Sequence, residues 1–371
     1  MKNLVRCSAV IACAALCGSA IFAAPAPKRH QTENVIFVMT DGLRWQEVFR
    51  GADASLMNKE NGGVVDVPAL QKAYGGETEE ARRSLLLPFV WSVIAKQGQI
   101  YGNRSKGSEA YVTNGHNFSY PGYNETLCGF ADPRIDSNDK VPNPNVTVLE
   151  WLNQRGSSRG KVAAFSAWDV FPSIFNATRA GFIVAAGYDP LSGGVSTPRL
   201  ELLNHLKGDG PRVWDSGPFD ALPFYTALEY LKAKQPRILY LSLGETDEWA
   251  HQGNYAQYLH AAHRVDAYLE TLWNTVQRMR PYRGKTTLIF SPDHGRGDGP
   301  QSWKDHGEKI PSSKYIWMAF LGPDTPARGE RSDISPVEQN QIAATLAAFL
   351  GEDYVSAVPK AGKPISDALP Q

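Results

Sequence analysis

The chain is poor in cysteine: it has four in 371 residues, and three of them, Cys7, Cys13 and Cys17, crowd into the N-terminal stretch. Only Cys128 lies beyond it, which excludes a disulfide framework within one mature chain. Stability must come from an ordinary core, which roughly 345 residues can bury as one large domain or as a domain with a cap. Neither charge is in surplus, since 38 basic residues balance 38 acidic ones, and no Lys/Arg run follows the N-terminal segment. A nucleic-acid scaffold binder or a membrane-surface binder is therefore not expected. Internal repeats and low-complexity tracts are also lacking.

One long apolar run is present, Leu4 to Phe22, interrupted by Arg6 and Ser8, preceded by Lys2 and ending in small residues around Ala20 to Ala26. That is the pattern of a secretory signal, placed at residues 1–24. A transmembrane anchor fits less well, because the run barely reaches the ~20 residues a bilayer span needs. A lipid anchor at Cys13 or Cys17 is the other alternative, without a convincing run of small residues before either. The mature chain, 25–371, is expected to be periplasmic or secreted, with no stable membrane span after cleavage. Nine Trp in an aromatic content of 11% point either to apolar or sugar-like surface near a cleft or to core packing.

Several short apolar runs, each followed by a turn and a helical pattern, predict an α/β fold with a mostly parallel central sheet and helices on both faces. The predicted strands are Val35–Met39, Val162–Phe165, Ile238–Leu243, Thr287–Phe290 and Tyr315–Leu321. The predicted helices are Leu85–Lys96, Val146–Gln154, Phe224–Lys234, Tyr255–Met279 and Pro336–Leu350, the last with Ser335 as N-cap and Pro336 at its first position. Gly51–Glu80 and Ala177–Asp220 break the rhythm and read as insertions or cap elements over the site of a single domain.

In such sheets ligands bind beyond the carboxyl ends of the strands. Asp41 follows the first run, Asp247 the third and Asp293-His294 the fourth. Alone, Asp41-Gly42 reads as a turn. Asp247 and His251, four apart, read as a solvated helix face or as two ligands of one ion. Asp293-His294 is harder to dismiss, because a buried strand end has no other reason to carry an adjacent acid and imidazole. Asp305-His306-Gly307 adds another imidazole in a loop. Mixed carboxylate and imidazole ligands suit zinc or manganese, and paired ions suit phosphoryl transfer. Six residues, Asp41, Asp247, His251, Asp293, His294 and His306, suffice for two divalent ions. Ser119, in Phe118-Ser119-Tyr120-Pro121-Gly122, is either a helix cap or a nucleophile activated by metal.

In order, these motifs are strand-Asp41-Gly42-x-Arg44, Ser119-Tyr120-Pro121 with Gly129 ten residues on, Asp247-x-x-x-His251, Asp293-His294-Gly295 and His306-Gly307. The series resembles the alkaline phosphatase superfamily and is most similar to its nucleotide pyrophosphatase/phosphodiesterase branch, whose nucleophile motif reads Thr-Phe-Pro. The resemblance runs from Asp41 to His306. It implies an alkaline-phosphatase-like domain in which Asp247, His251 and His306 hold one ion and Asp41, Asp293 and His294 the other. Ser119 would attack phosphorus and form a phosphoseryl intermediate. It also implies an Asn near the phosphoryl oxygens, for which Asn138 is the candidate and Asn143 or Asn145 the alternatives.

The residues discriminate among branches. A type I sulfatase needs an Arg four residues after its nucleophile, where this chain has Tyr123. Cofactor-independent phosphoglycerate mutases carry a large second domain after the nucleophile and work in the cytosol. After Val162–Phe165, where one phosphatase group places Lys-x-Arg, stands Ser166-Ala167-Trp168-Asp169, with no cation for the extra phosphate oxygen of a monoester. A small-molecule phosphodiester is the expected substrate, with Trp168, Asn138 and Arg44 as its binding residues. A monoester remains the alternative if Arg44, Arg104, Arg134 or Arg296 reaches the phosphate. A binding protein without turnover is the non-enzymatic alternative, and oligomeric state is not legible.

Overall fold

The computed structural model describes residues 30–193 and 195–370; the expected secretory signal lies outside them. Eight strands form the central sheet: β1 (Asn34–Thr40), β2 (Gln99–Tyr101), β3 (Val162–Ser166), β4 (Ile183–Ala186), β5 (Ile238–Leu243), β6 (Thr286–Pro292), β7 (Met318–Leu321) and β8 (Gly329–Glu330). Their order is β4-β3-β5-β1-β6-β7-β2-β8, and only β7 runs against the rest. The sheet is thus mostly parallel, as the sequence rhythm predicts.

Every residue of β1, β5 and β6 is buried, which is why these strands read as continuous apolar runs rather than alternating ones. Alternate side chains of β1 enter separate cores. Ile36 and Val38 join one that includes Phe224, Leu259 and Val265, while Val35, Phe37 and Met39 join another with Leu127, Leu346 and Phe349. Five helices matter below: α1 (Ser119–Cys128), α2 (Ala221–Lys234), α3 (Glu245–His251), α4 (Tyr255–Arg278) and α5 (Gln341–Phe349). Among the described residues, no helix is long and apolar enough to cross a membrane.

Two predicted helices need correction. The helix predicted over Leu85–Lys96 is broken: Glu79–Leu86 is α-helical, Leu87 leaves the helical region at φ −128° and ψ 66°, and a π-turn spans Val90–Ile94. Pro88 disfavours the helical conformation at Leu87, and the Asp266 carboxylate of α4 accepts the N–H groups of Phe89 and Val90. The helix predicted from Pro336 begins instead at Gln341, because Val337–Glu338 pairs with Ala110–Tyr111, so Ser335 is no N-cap. Residues 177–220 contain a strand of the main sheet, β4, and reach the cleft through Trp214, Ser216, Gly217 and Pro218. Residues 51–80 instead bury Leu56, Val64, Leu70 and Tyr74 in the core that α4 shares, and contribute none of the residues lining the cleft.

Candidate active site

The carboxyl ends of β3, β5, β1 and β6 stand side by side and deliver their following residues to one cleft, as the topology requires. It is lined by Asp41, Ser119, Asn138, Trp168, Asp247 and Glu248, among others. Thr40 at the end of β1 and Thr246 in the first turn of α3 share a hydroxyl hydrogen bond of 2.9 Å, fixing one loop against the next. On the other side α1 lies so close to β6 that a Cβ at Gly122 would sit 2.3 Å from the Asp293 carbonyl oxygen.

Ser119 is the first residue of α1 rather than its cap, which is Phe118. Its Oγ lies 3.5 Å from His294 Nε2. Asn138 Oδ1 accepts the N–H of Tyr120 at 2.9 Å, so this asparagine closes the helix start. Asn143 and Asn145 are turned away: both donate to Asn124 Oδ1. Of the three candidates, Asn138 alone lines the cleft.

Asp41, Asp293 and His294 form a fully buried group whose ligand atoms lie within 4.8 Å of one another, and Asp247, His294 and His306 form a second, less buried one. His251 joins the latter, with Nε2 at 3.2 Å from Asp247 Oδ2 and 3.0 Å from His306 Nε2. All six predicted ligands therefore converge.

The donor set fits divalent cations. Asp293 Oδ1 accepts from the N–H groups of Gly42 (3.1 Å) and His294 (2.9 Å), whereas its Oδ2, like Asp41 Oδ1, is buried without a hydrogen-bond donor. These two oxygens lie 3.5 and 3.2 Å from His294 Nε2. The other nitrogen of His294 faces the Gly295 carbonyl at 2.8 Å, and His306 Nδ1 faces that of Asn117 at 3.3 Å. A carbonyl can only accept, so each Nδ1 carries a proton and each Nε2 can offer a lone pair, the arrangement of a metal-ligating histidine.

Electrostatics agree. Burial, then the neighbouring Asp41, pushes the Asp293 carboxyl well above its ordinary range. Burial alone would lower the His294 imidazole, but Asp293 and Asp41 outweigh it and lift it to about 9. The cluster draws in a proton for want of positive charge, and a bound cation would displace that proton. His306 and His251 are driven down, foremost by burial and then by His294, towards the neutral state that a ligand needs.

Arg44 does not face the cleft, contrary to the sequence reading. It is buried, its Nε donates to Glu47 Oε2 at 2.8 Å, Nη2 contacts Glu47 Oε1 and Nη1 donates to the Gly297 carbonyl at 3.2 Å. The helical i,i+3 spacing makes that buried pair. Neither Arg104, stacked on Tyr315, nor Arg134, paired with Asp132, lines the cleft either. Other supporting residues escaped the sequence. The Tyr123 hydroxyl donates to Asp41 Oδ2 at 3.1 Å, and Gln339 Nε2 donates to the Asp293 carbonyl at 2.7 Å. Tyr123 stands one helical turn after Ser119, on the same face, which is a signal of a sort; Gln339 gave none.

Comparison with known proteins completes the picture. Alkaline phosphatase PafA superposes with a TM-score of 0.58 at 11% identity, covering 93% of this chain and 100% of that one. Murine ectonucleotide pyrophosphatase/phosphodiesterase 5, an inactive variant in complex with AMP, gives 0.54 at 12%, covering 91% and 100%. The phosphonate monoester hydrolase of Silicibacter pomeroyi gives 0.56 at 13%, covering 91% and 76%. At such identities the likeness establishes an alkaline-phosphatase-like fold. No curated protein matches the chain in sequence. The family model for type I phosphodiesterase / nucleotide pyrophosphatase, however, matches residues 53–319, a span that holds Ser119 and every candidate ligand except Asp41. The chain belongs to the type I phosphodiesterase / nucleotide pyrophosphatase family and is a phosphoester hydrolase.

Proposed function

We propose that this protein is an exported phosphodiesterase acting through a phosphoseryl intermediate on Ser119. The observation that carries the diester reading is the make-up of the cleft: among the described residues its lining includes no Lys or Arg, and Glu248 stands in it. A diester presents one negative charge, whereas a monoester brings a further anionic oxygen that needs a cation. A nucleotide pyrophosphate bond meets the same condition at the phosphorus attacked.

Asp247, His251 and His306 would hold one divalent ion, and Asp41, Asp293 and His294 the other, with zinc favoured by the mixed donors and manganese the alternative. Two such ions, when bound, would lower the pKa of the attacking hydroxyl and neutralise charge on the phosphoryl oxygens. Ser119 Oγ forms a bond to phosphorus as the bond to the leaving oxygen breaks. Water then attacks the phosphoserine, the Oγ–phosphorus bond breaks and Ser119 is regenerated. Asn138, whose Oδ1 is taken by Tyr120, keeps its amide N–H groups for a phosphoryl oxygen. The α1 N-terminus adds its partial positive charge. Trp168 offers an aromatic wall to the substrate's organic part.

The test compares bis-p-nitrophenyl phosphate with p-nitrophenyl phosphate at matched metal loading. Diester efficiency should exceed monoester efficiency, and Ser119→Ala should abolish turnover of both while leaving bound metal unchanged. The reverse preference, or full activity in the variant, sinks the corresponding half of the proposal. Export rests on the signal placed at residues 1–24, and an N-terminus close to Pro25 in protein recovered outside the cytoplasm is the expected result.

A further inference from the structure

Arg296 lies two residues beyond His294 and takes no part in the reaction above, yet its side chain is wholly buried at the centre of the site. Its Nε donates to the Gly42 carbonyl at 3.2 Å, Nη1 to that of Lys304 at 2.7 Å and Nη2 to that of Asp247 at 3.3 Å; Nη2 also contacts Asp247 Oδ1. Those three carbonyls come from three different segments. Gly42 follows Asp41, Asp247 is itself a candidate ligand, and Lys304 precedes His306 by two residues. Gly42 stands at φ +58°, and a Cβ there would meet Arg296 Nε at 2.7 Å, so the close approach needs glycine. A single planar cation therefore ties together every segment that carries a ligand. Neutral carbonyls alone would fix it in place, whatever the Asp247 side chain does.

Among the described residues, this guanidinium contacts a side chain of only one of the two ligand groups. Asp41 and Asp293 give one group two carboxylates beside an imidazole, and no guanidinium contacts either of them among the described residues. The other group has one carboxylate, Asp247, and two imidazoles, and Arg296 Nη2 contacts that carboxylate. Building on the two-ion reading, we infer that Arg296 acts as a resident cation that makes the Asp247–His251–His306 group the weaker, readily exchanged ion site. The Asp41–Asp293–His294 group retains its ion. Ion exchange at the exposed site would then leave the ion facing Ser119 undisturbed.

Titration of the metal-free full-length chain with Zn2+ against a chromophoric chelator tests this directly. Two equivalents should bind in two resolved steps. Asp293→Asn should remove the tight step and Asp247→Asn the weak one. Arg296→Gln should narrow the gap by tenfold or more through tighter binding of the second ion, and Arg296→Lys, which keeps the charge, should preserve it. Two equivalents of equal affinity in the wild-type chain overturn the inference even if no Arg296 variant folds. An unchanged gap in a folded Arg296→Gln chain does the same. Binding of fewer than two equivalents overturns the two-ion reading and this inference with it.

Discussion

Removing one hydroxyl should weaken one ion site. The Tyr123 ring is fully buried, packed edge-on to Phe171 with centroids 4.7 Å apart, and its hydroxyl donates to Asp41 Oδ2 at 3.1 Å and meets Ser242 Oγ at 3.0 Å. Tyr123→Phe keeps the packing and deletes only the donor. Asp41 Oδ1 already lacks a donor, so the variant leaves this carboxylate without any side-chain donor save what His294 provides. A hydrogen bond to a charged acceptor is worth about 1.5–3 kcal/mol, and each 1.4 kcal/mol is roughly tenfold in an equilibrium constant. Supporting residues around metal ligands fall in the same range, about 10–100-fold. Zinc held by Asp41, Asp293 and His294 should therefore bind about 10–100-fold more weakly in Tyr123→Phe. The assay is chelator competition on metal-free protein, with thermal unfolding as a control for the fold. Zinc affinity within about threefold of wild type, in a folded variant, would refute the claim that the tyrosine orients Asp41.

Other perturbations probe the surroundings. Gly122→Ala puts a methyl against the backbone oxygen of Asp293, so it should cost on the order of 1–3 kcal/mol and depress turnover as α1 is pushed from β6; an unaltered melting temperature would contradict that packing. Lys207 is buried with one acceptor, the Asp189 carbonyl at 3.2 Å, and burial pulls its ammonium down from 10.5 to about 8. Folded and unfolded chains are both charged there below pH 8, so the burial cost is then full, and it fades as pH rises from about 8 to about 10.5. Lys207→Met should be more stable at pH 7 by on the order of 2 kcal/mol, with the advantage shrinking towards pH 10.5 in denaturant titrations. Glu248→Gln removes negative charge from the cleft and should raise the monoester-to-diester efficiency ratio by roughly threefold to tenfold, an effect on the order of 1 kcal/mol; an unchanged ratio would detach Glu248 from substrate choice. Chelation should lower the melting temperature, and zinc should restore it in proportion to occupancy.

Much of this architecture was legible because buried parallel strands must be apolar throughout, so β1, β3, β5 and β6 stand out as runs, and polar residues directly after them must lie at a sheet edge. Asp41, Asp247, Asp293 and His294 could be assembled on that basis, with Ser119 added by motif order. The sequence could not say which arginine faces substrate, because a guanidinium's partners are set by what packs around it: Arg44 is captured by Glu47, and Arg296 by the carbonyls of Gly42, Asp247 and Lys304, the first two far from it in sequence. Nor could it place Trp214 and Ser216 in the cleft wall, or begin α5 after Val337–Glu338 rather than at Pro336, because pairing with Ala110–Tyr111 is a contact between residues more than 200 apart. Local pattern determined the strands and the ligand types. Tertiary packing decided charge placement, because buried cations and unpaired carboxylate oxygens are resolved only by neighbours that the chain brings together when it folds.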